Sequence, residues 1–377
     1  MKRISILIVI AATLVCACAA WLLVSGGSFV LAENPVMPVG KTAAIKAPLG
    51  LPPVPIPADN PPTAETIALG RRLYYDTALS VDNTVSCATC HNPAMGFTDD
   101  KPVSNGVHGK TGVRSAPTVI NSAYSALQFW DGRAPSLEAQ AAGPMANPVE
   151  MAHTLKGVEE RLQKDPSYRE EFKKAWGTDQ ITIDMVTKSI ASFERTVLSG
   201  NSPFDRFYYR GDKKALSLSA QRGLKVFVNP KRGNCAVCHT IGAKYALFTD
   251  NKFHNIGIGA DTRGEFVDTG RYTQTKNDAD MGAFKTPTLR DCLLTAPYMH
   301  DGSMPDLKAV IDHYIGGGNS NPHLDKQIHV LDFLSGQERE DLLEFLKSLN
   351  GKLPADVGPP ATTARKDGQR REVTAQR

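Results

Sequence analysis

The sequence repeats one short unit, Cys-x-x-Cys-His, whose residue types and spacing could hold a haem. The two copies are Cys87-Ala88-Thr89-Cys90-His91 and Cys235-Ala236-Val237-Cys238-His239. Two thiols three residues apart on a helical turn share one face, so both can bond to the vinyl carbons of one porphyrin. The histidine that follows directs its imidazole at the iron. The unit therefore predicts two covalently bound haem c groups, with His91 and His239 as iron ligands.

Zinc binding and disulfide exchange are the other common uses of paired cysteines. A zinc ribbon brings its second cysteine pair about 15–20 residues after the first, whereas Cys235 follows Cys90 by 145 residues. A redox pair needs no histidine after it. Because the chain has only 7 cysteines in 377 residues, chance does not explain two copies of the unit. Haem attachment is the favoured interpretation, and the isolated Cys292 is interpreted as a buried free thiol without a role.

The first 32 residues have the layout of a signal peptide. Met1-Lys2-Arg3 is basic, Ile4 to Val24 is almost wholly apolar, and Ala32 suits a cleavage site. The apolar run is also about long enough to span a bilayer, so a retained membrane anchor is the alternative. A lipid-bearing Cys18 is a further alternative. All three place the rest of the chain outside the cytoplasm, and the periplasm is the expected location.

The composition argues against nucleic acid as a partner. The formal net charge is only +4. The sequence has neither a phosphate-cradling glycine loop nor a basic strip with interleaved aromatic residues.

The segments that position the two units are predicted to be mainly α-helical. Thr182 can cap a helix with one apolar face, Pro305 suits the start of another, and Ser335 with Glu338 forms a capping box. Convincing strand alternation is scarce. Two long segments rich in Gly, Pro, Asn and Asp, at 91–150 and 240–304, are predicted to be loops that wrap a cofactor.

An internal echo indicates two related domains. A helix and a short loop precede each unit, starting near Leu69-Gly70-Arg71 in the first copy and near Arg222-Gly223-Leu224 in the second. The predicted organisation is, in order, a Pro- and Ala-rich extended lead-in at 33–62, a first domain at 63–205, a second domain at 206–350 and a disordered tail at 351–377.

Further motifs accompany the two units. They are Trp130-Asp131-Gly132-Arg133, Gln140, Asn147-Pro148-Val149-Glu150-Met151, Thr286-Pro287-Thr288-Leu289-Arg290 and Pro297-Tyr298-Met299-His300-Asp301-Gly302. With these motifs, residues 60–350 resemble the bacterial di-haem cytochrome c peroxidases, a family that includes the MauG-like enzymes. The resemblance implies a mainly α fold of two cytochrome c-like domains, each with one covalently bound c-type haem, joined by long loops.

The resemblance assigns three residues to the chemistry of the first haem. Glu150 is the distal carboxylate, Gln140 is its neutral hydrogen-bond partner, and Trp130 is the bridge between the haems. Heterolysis of peroxide needs a base that takes one proton and an acid that returns it to the leaving oxygen, and a single carboxylate can do both. Without the resemblance, Glu150 would be interpreted as a solvated loop charge and Trp130 as a core residue.

The resemblance also bears on the second haem. Tyr314 stands fourteen residues after His300, at a position where peroxidases of the family carry methionine and MauG-like members carry tyrosine. Methionine raises the potential of haem iron, whereas a tyrosinate favours the ferric state. Tyr314 is therefore the expected second axial ligand, and His313, Met304 and Met281 are the alternatives.

Two other sites are implied less directly. His108 matches a loop histidine that caps the first haem in resting peroxidases of the family, but with Tyr314 on the second haem we expect the first to be open or water-bound. A calcium ion lies between the domains in family members. Its ligands correspond to the backbone oxygens of Thr295 and Pro297 and to Ser115, which replaces the usual asparagine and is a weaker ligand.

Three functions are compatible with these residues. The leading one is a peroxidase that reduces hydrogen peroxide at the first haem with electrons from a small donor, such as a cytochrome c or a cupredoxin, relayed through the second haem. The second is a MauG-like oxidase that modifies residues of a partner protein, which Tyr314 favours. The third is a non-enzymatic di-haem electron carrier, in which Glu150 and Gln140 would have no role.

Overall fold

The structure is a computed structural model that describes residues 36–361. The leader predicted at 1–32 and residues 362–377 of the predicted tail lie outside these residues. All the elements described below belong to one compact unit that begins at Met37. Across residues 36–361, the helices are all too short or too polar to cross a membrane.

Helix is the main regular structure, as predicted. The α-helices of the described residues are α1 (Ala64–Tyr75), α2 (Cys87–Cys90), α3 (Leu137–Ala146), α4 (Leu155–Lys164), α5 (Pro166–Trp176), α6 (Ile183–Glu194), α7 (Pro203–Arg210), α8 (Leu218–Val228), α9 (Tyr272–Thr275), α10 (Leu307–Ile315) and α11 (Gly336–Lys347). Short 3-10 turns are Thr77–Leu79, Pro93–Met95, Val107–Gly109, Ser122–Tyr124, Cys235–Val237, Asp278–Asp280, Cys292–Leu294 and Ala355–Val357. Strands β1 (Phe253–His254) and β2 (Phe284–Lys285) pair antiparallel, with Phe253 opposite Lys285.

The helix ends that the sequence predicts are found close to their expected positions. The Thr182 side chain accepts a hydrogen bond from the backbone of Met185 at the start of α6. The capping box of Ser335 and Glu338 is present at the start of α11. The helix expected near Pro305 begins two residues later, because Asp306 provides the cap.

Helix α3 is the element that the sequence analysis missed, since residues 91–150 were predicted to be a loop. Its sequence, LEAQAAGPMA, contains a glycine and Pro144 and has no strong apolar face. The side chain of Ser136 caps it by accepting from the backbone of Ala139. The segment 240–304 is largely irregular, as predicted, apart from α9, two 3-10 turns and the two short strands.

The helix that precedes each Cys-x-x-Cys-His unit packs against a later helix through a glycine. A Cβ atom on Gly70 of α1 would lie 1.8 Å from the carbonyl oxygen of Ser189 in α6. A Cβ atom on Gly223 of α8 would lie 1.9 Å from the carbonyl oxygen of Asp341 in α11. Each glycine therefore allows a close approach of two backbones that any side chain would prevent.

The buried apolar side chains form two large clusters. The first draws on residues between 69 and 197 together with Val357, and it contains the α1 and α6 side chains Leu73 and Phe193. The second draws on residues between 204 and 349, and it contains Phe227 of α8 and Phe345 of α11. Each Cys-x-x-Cys-His unit thus has its own hydrophobic cluster beside it.

Both ends of the described chain make hydrogen bonds with the rest of the fold. In the lead-in, the carbonyl oxygen of Gly50 accepts from the Arg290 guanidinium at 2.8 Å. Arg290 also forms a bidentate ion pair with Asp205, and both side chains are completely buried. In the first part of the predicted tail, Val357 is buried and its carbonyl oxygen accepts from the Tyr75 hydroxyl at 2.7 Å. Val357 therefore anchors this segment to α1, whereas most of residues 351–361 are exposed.

Candidate functional site

The two predicted proximal histidines have the same local geometry. Nδ1 of His91 lies 3.3 Å from the carbonyl oxygen of Phe97, and Nδ1 of His239 lies 2.9 Å from that of Phe248. Because a carbonyl can only accept, Nδ1 carries the proton in both rings. Nε2 is then the atom with a free lone pair, which is the arrangement that second-shell carbonyls impose on metal-binding histidines. Both rings are thus prepared to bind a metal through Nε2.

The four cysteines of the two units are free thiols. Burial raises the pKa of Cys235 to about 12, and burial also raises the pKa of Cys87 and Cys90. Burial thus favours the neutral form of Cys87, Cys90 and Cys235, and a neutral thiol can form a thioether. The donor set of each unit fits a covalently attached haem.

A large cleft adjoins the second unit. It contains about 2460 Å³ of empty space, including solvent at its mouth. Its lining includes the thiols of Cys235 and Cys238, the ring of His239, Tyr314 of α10 and Trp130. This space is large enough to hold a flat macrocycle attached to the two thiols, so the residues present fit a haem.

Tyr314 is the expected axial residue that faces this cleft. Burial raises the pKa of its phenol, and the nearby thiols of Cys235 and Cys238 add to the rise. A positive metal ion would be needed to favour the phenolate here. The histidine next to it is occupied elsewhere, because Nε2 of His313 lies 2.9 Å from the carbonyl oxygen of Ile256.

The methionines proposed as alternatives do not border the cleft. Met304 pairs with Tyr298 in an isolated β-bridge, and the Met281 carbonyl accepts from Asn255 at 2.7 Å. Neither is among the residues that line the cleft, whereas Met299 is. Met299 precedes His300, whose carbonyl accepts from the backbone of Ser115, so it lies toward the Trp130 end of the space.

Glu150 is a partly buried carboxylate near the first unit. It follows α3, and its Oε1 accepts a hydrogen bond of 2.6 Å from the Asn147 side chain. Burial raises its pKa, while Asn147 and the charge of Arg133 lower it. Its charge also contributes to the raised pKa values of the Cys87 and Cys90 thiols, after the larger effect of their burial. Glu150 therefore lies close enough to the first unit to act on it electrostatically.

Gln140 and His108 both belong to segments next to Glu150, but Gln140 is partly buried and His108 is exposed. Gln140 is a partly buried residue of α3, the helix that leads directly into the Glu150 loop. The backbone of Val107 donates to the Glu150 carbonyl at 2.8 Å, which brings the His108 loop beside that carboxylate. The His108 side chain itself is 61% exposed, and its Nδ1 lies 3.5 Å from Asp82. In this arrangement His108 points to solvent.

Trp130 lies on a loop that joins the two regions. Its indole Nε1 donates to the carbonyl of Ser115 at 2.9 Å, and its own carbonyl accepts from the backbone of Lys285 at 2.8 Å. The preceding Phe129 packs against Gly143 of α3, and the guanidinium of Arg133 stacks on the Phe129 ring at 3.4 Å. One short loop thus contacts α3 near Glu150 and also lines the cleft of the second unit.

The three residues that correspond to calcium ligands line the same cleft. Ser115, Thr295 and Pro297 all border it near Trp130. Among residues 36–361, the carbonyl oxygens of Thr295 and Pro297 and the hydroxyl of Ser115 accept no hydrogen bond. Three oxygen atoms without a donor among residues 36–361 thus belong to residues that line the cleft, although a carboxylate is not among them.

Two polar residues that the sequence analysis did not select, Lys285 and His254, also line the cleft. Lys285 faces the cleft beside Trp130. His254 is held between Asp325 at 2.6 Å and Asp250 at 2.9 Å, and its ring is close to Cys238. Lys285 directly precedes the Thr286-Pro287 motif, so its position beside that motif could have marked it as a candidate site residue. His254 contacts Asp325, which lies 71 residues away in the sequence, so no local sequence pattern could identify this contact.

Cys292, expected to be a buried free thiol, is 5% exposed. Burial raises its pKa to about 12. It packs within the second hydrophobic cluster, so the prediction of a buried, unreactive thiol agrees with the structure.

Sequence and structure comparisons find that the chain is similar to di-haem cytochrome c peroxidases and to MauG proteins. Residues 64–214 match the sequence profile of the family described as di-haem cytochrome c peroxidase. The chain is 41% identical to the methylamine utilization protein MauG of Methylorubrum extorquens, over 84% of this chain and 87% of that protein. It is 38% identical to the cytochrome c551 peroxidase of Nitrosomonas europaea, over 80% and 84%. A crystal structure of a MauG-like protein associated with microbial copper homeostasis superposes with a TM-score of 0.73 at 33% identity, covering 81% of this chain and 95% of that one.

Proposed function

The chain belongs to the family of di-haem cytochrome c peroxidases and MauG proteins, and from this premise we propose that it reduces hydrogen peroxide in the periplasm. In this proposal residues 63–205 and 206–350 are two cytochrome c-like domains, and each holds one haem c at its Cys-x-x-Cys-His unit. The bound haems would supply the iron that reacts with peroxide and would carry the electrons. The two hydrophobic clusters, one beside each unit, support this division.

The carboxylate of Glu150 is the observation on which the proposal depends. It is partly buried, oriented by Asn147 at 2.6 Å, and close enough to affect the thiols of the first unit. A raised pKa suits a group that takes a proton from peroxide and gives it to the leaving oxygen. An electron carrier has no use for a group of this kind. Gln140, on the helix that leads into this loop, is proposed as the neutral partner in the same pocket.

Electrons would reach the first haem through the loop of Trp130. The indole is oriented by its bond to Ser115, and the same loop contacts α3 through Phe129 and lines the second cleft. A small donor, such as a cytochrome c or a cupredoxin, would deliver electrons at the second haem. In this proposal His239 and Tyr314 would hold the iron of the second haem, and His91 would hold the iron of the first.

Replacing Glu150 by Gln tests the peroxidase proposal. Peroxide-dependent oxidation of a reduced small cytochrome c should fall by about 10²–10⁴-fold, the usual contribution of a general acid or base. Haem staining on a denaturing gel should show both haems still attached. The matched control is Glu170→Gln, at an exposed glutamate of α5 that forms an ion pair with Lys174. Full turnover by the Glu150→Gln variant would exclude the proposed role.

Oxidation of a partner protein is the second candidate function. It is favoured by Tyr314, because this position of α10, which borders the cleft of the second unit, carries a tyrosine and not a methionine, and a tyrosinate suits higher oxidation states. The test measures peroxide consumption with two different reducing substrates. One is a small electron donor, and the other is the precursor of a quinone-type dehydrogenase from the same genome. A mass change in the precursor, absent without peroxide, would select this function.

A calcium ion beside Trp130 is the remaining part of the family pattern that we propose. The free oxygens of Thr295, Pro297 and Ser115 support it, since Ca²⁺ prefers oxygen ligands. Chelator treatment followed by Ca²⁺ titration should then raise the thermal midpoint of the haem-loaded protein. Mg²⁺ at the same concentration serves as the control, because its stricter octahedral geometry suits backbone carbonyls poorly.

A further inference from the structure

Lys285 is a cation that faces the cleft of the second Cys-x-x-Cys-His unit. It belongs to β2, and its backbone N–H donates to the carbonyl of Trp130 at 2.8 Å. Its side chain lines the cleft together with Trp130 and His239. The ammonium group donates to the carbonyl of Leu127 at 2.7 Å. An ammonium can donate three hydrogen bonds, and among residues 36–361 this group donates the one bond to Leu127, so two of its N–H groups remain for a further acceptor.

The positive charge of Lys285 has no acidic partner within residues 36–361. Burial lowers its pKa to about 8, and no neighbouring carboxylate opposes that fall. A buried charge is costly unless an opposite charge pairs with it. An anion bound in the cleft would supply the opposite charge that residues 36–361 do not provide.

Acidic side chains in this part of the chain already have cationic partners. Asp131, next to Trp130, pairs with Arg114 at 2.8 Å. Asp325, which also lines the cleft, accepts from His254 at 2.6 Å. Neither is free to compensate Lys285. Among residues 36–361, these carboxylates therefore leave the Lys285 ammonium without an anionic partner.

We propose that Lys285 binds a propionate carboxylate of the haem attached at Cys235 and Cys238, and that this contact fixes the haem edge beside the indole of Trp130. The inference rests on the proposed haem at the second unit. Cys235, Cys238 and His239 would hold the haem at one edge and at the iron, and Lys285 would hold it at a propionate. Lys285 is thus a positioning residue for the path between Trp130 and the second iron, and it neutralises a negative charge near that iron.

The test is a spectroelectrochemical titration of the haem-loaded protein. In Lys285→Met the propionate charge is no longer compensated, which favours ferric iron, so the reduction potential of the second haem should shift to a lower value. Lys285→Arg keeps a cation and should restore a potential close to that of the unaltered protein. Lys252→Met is the matched control, because Lys252 is an exposed lysine just before β1, and it should leave the potential unchanged.

An unchanged potential in Lys285→Met would overturn the proposal. If that variant does not fold, a crystal structure of the unaltered haem-loaded protein decides: a propionate oxygen within about 4 Å of the Lys285 ammonium supports the ion pair, and a longer distance refutes it. Haem staining separates this outcome from failure of the proposed function, since a protein with no haem at Cys235 and Cys238 would contradict the premise itself.

Discussion

The ring of His239 is oriented by the carbonyl oxygen of Phe248, which lies 2.9 Å from Nδ1. Phe248 is completely buried, and its backbone adopts a left-handed conformation with φ of 53°. Phe97, which accepts from His91 in the first unit, is also completely buried and has φ of 59°. The hydrophobic cluster beside each unit therefore holds an uncommon backbone conformation that aims one carbonyl at one imidazole. This coupling between core packing and ligand orientation underlies the predictions below.

Replacing Tyr314 by Phe is expected to remove an axial ligand from the second haem without releasing it. The thioether bonds and His239 remain, so haem staining should be unchanged, while the electron paramagnetic resonance spectrum of the ferric protein should gain a high-spin signal. His313→Gln is the control, since His313 bonds the carbonyl of Ile256 and does not line the cleft. A new high-spin signal in the His313 variant alone would identify the neighbouring histidine as the ligand.

Replacing Trp130 by Phe is expected to slow electron transfer between the haems. The change removes an oxidisable indole and its 2.9 Å bond to Ser115, whereas the cleft wall keeps an aromatic ring. Rapid mixing with peroxide should show the first haem reacting at its normal rate and the second haem being oxidised more slowly. Trp176→Phe is the control, because this buried indole bonds to Ser189 and does not line the cleft. Equal slowing in both variants would argue against a specific bridge.

The parts of the site that are local in sequence could be predicted, and the parts that depend on distant contacts could not. The Cys-x-x-Cys-His units and the caps at Thr182 and Ser335 are encoded within a few residues of each other, so short-range rules are enough. The carbonyl that orients each histidine could not be found in this way. Phe97 follows His91 by six residues and Phe248 follows His239 by nine, so the equivalence of the two is hidden until the loops are folded.

The burial of the charged residues Lys285 and Arg290 could not be predicted from the sequence either, because it also depends on distant contacts. Sequence reasoning treats a lysine or arginine in a polar segment as solvated. Arg290 is completely buried only because Asp205, Gly50 and Ala246 converge on it from segments 44 to 240 residues away. Helix α3 was missed for a related reason. It packs against α6, and this tertiary contact cannot be inferred from the composition of α3 itself.

Removing the Arg290 side chain is expected to destabilise the fold strongly. Arg290→Met leaves the completely buried carboxylate of Asp205 without its bidentate partner, and breaking a buried pair of this kind costs about 3–5 kcal/mol. Denaturant unfolding at equal haem content should show the loss. The double variant Arg290→Met with Asp205→Leu should recover part of it, because no uncompensated charge then remains. Arg263→Gln, which breaks an exposed pair with Glu265, should leave the midpoint unchanged.

The buried carboxyl of Glu194 predicts a pH dependence of stability with a definite sign. Glu194 is the last residue of α6 and is 5% exposed, and burial raises its pKa to about 8, with Arg195 lowering it and Glu138 raising it further. In the unfolded chain the pKa is about 4.3, so between these two values the folded protein binds more protons than the unfolded one. Its contribution to the free energy of unfolding is therefore complete below about pH 4.3 and is lost as the pH rises toward 8.

Replacing Glu194 by Gln removes this titration while keeping the size of the side chain. Denaturant unfolding of the haem-loaded protein at pH 6 and at pH 8.5 should show a larger drop in stability for the unaltered protein than for Glu194→Gln. Glu170→Gln, an exposed change on α5, should follow the unaltered protein. If Glu194→Gln loses as much stability on alkalinisation as the unaltered protein does, the carboxyl is ionised across this range, and its charge must be compensated by the neighbouring guanidinium of Arg195.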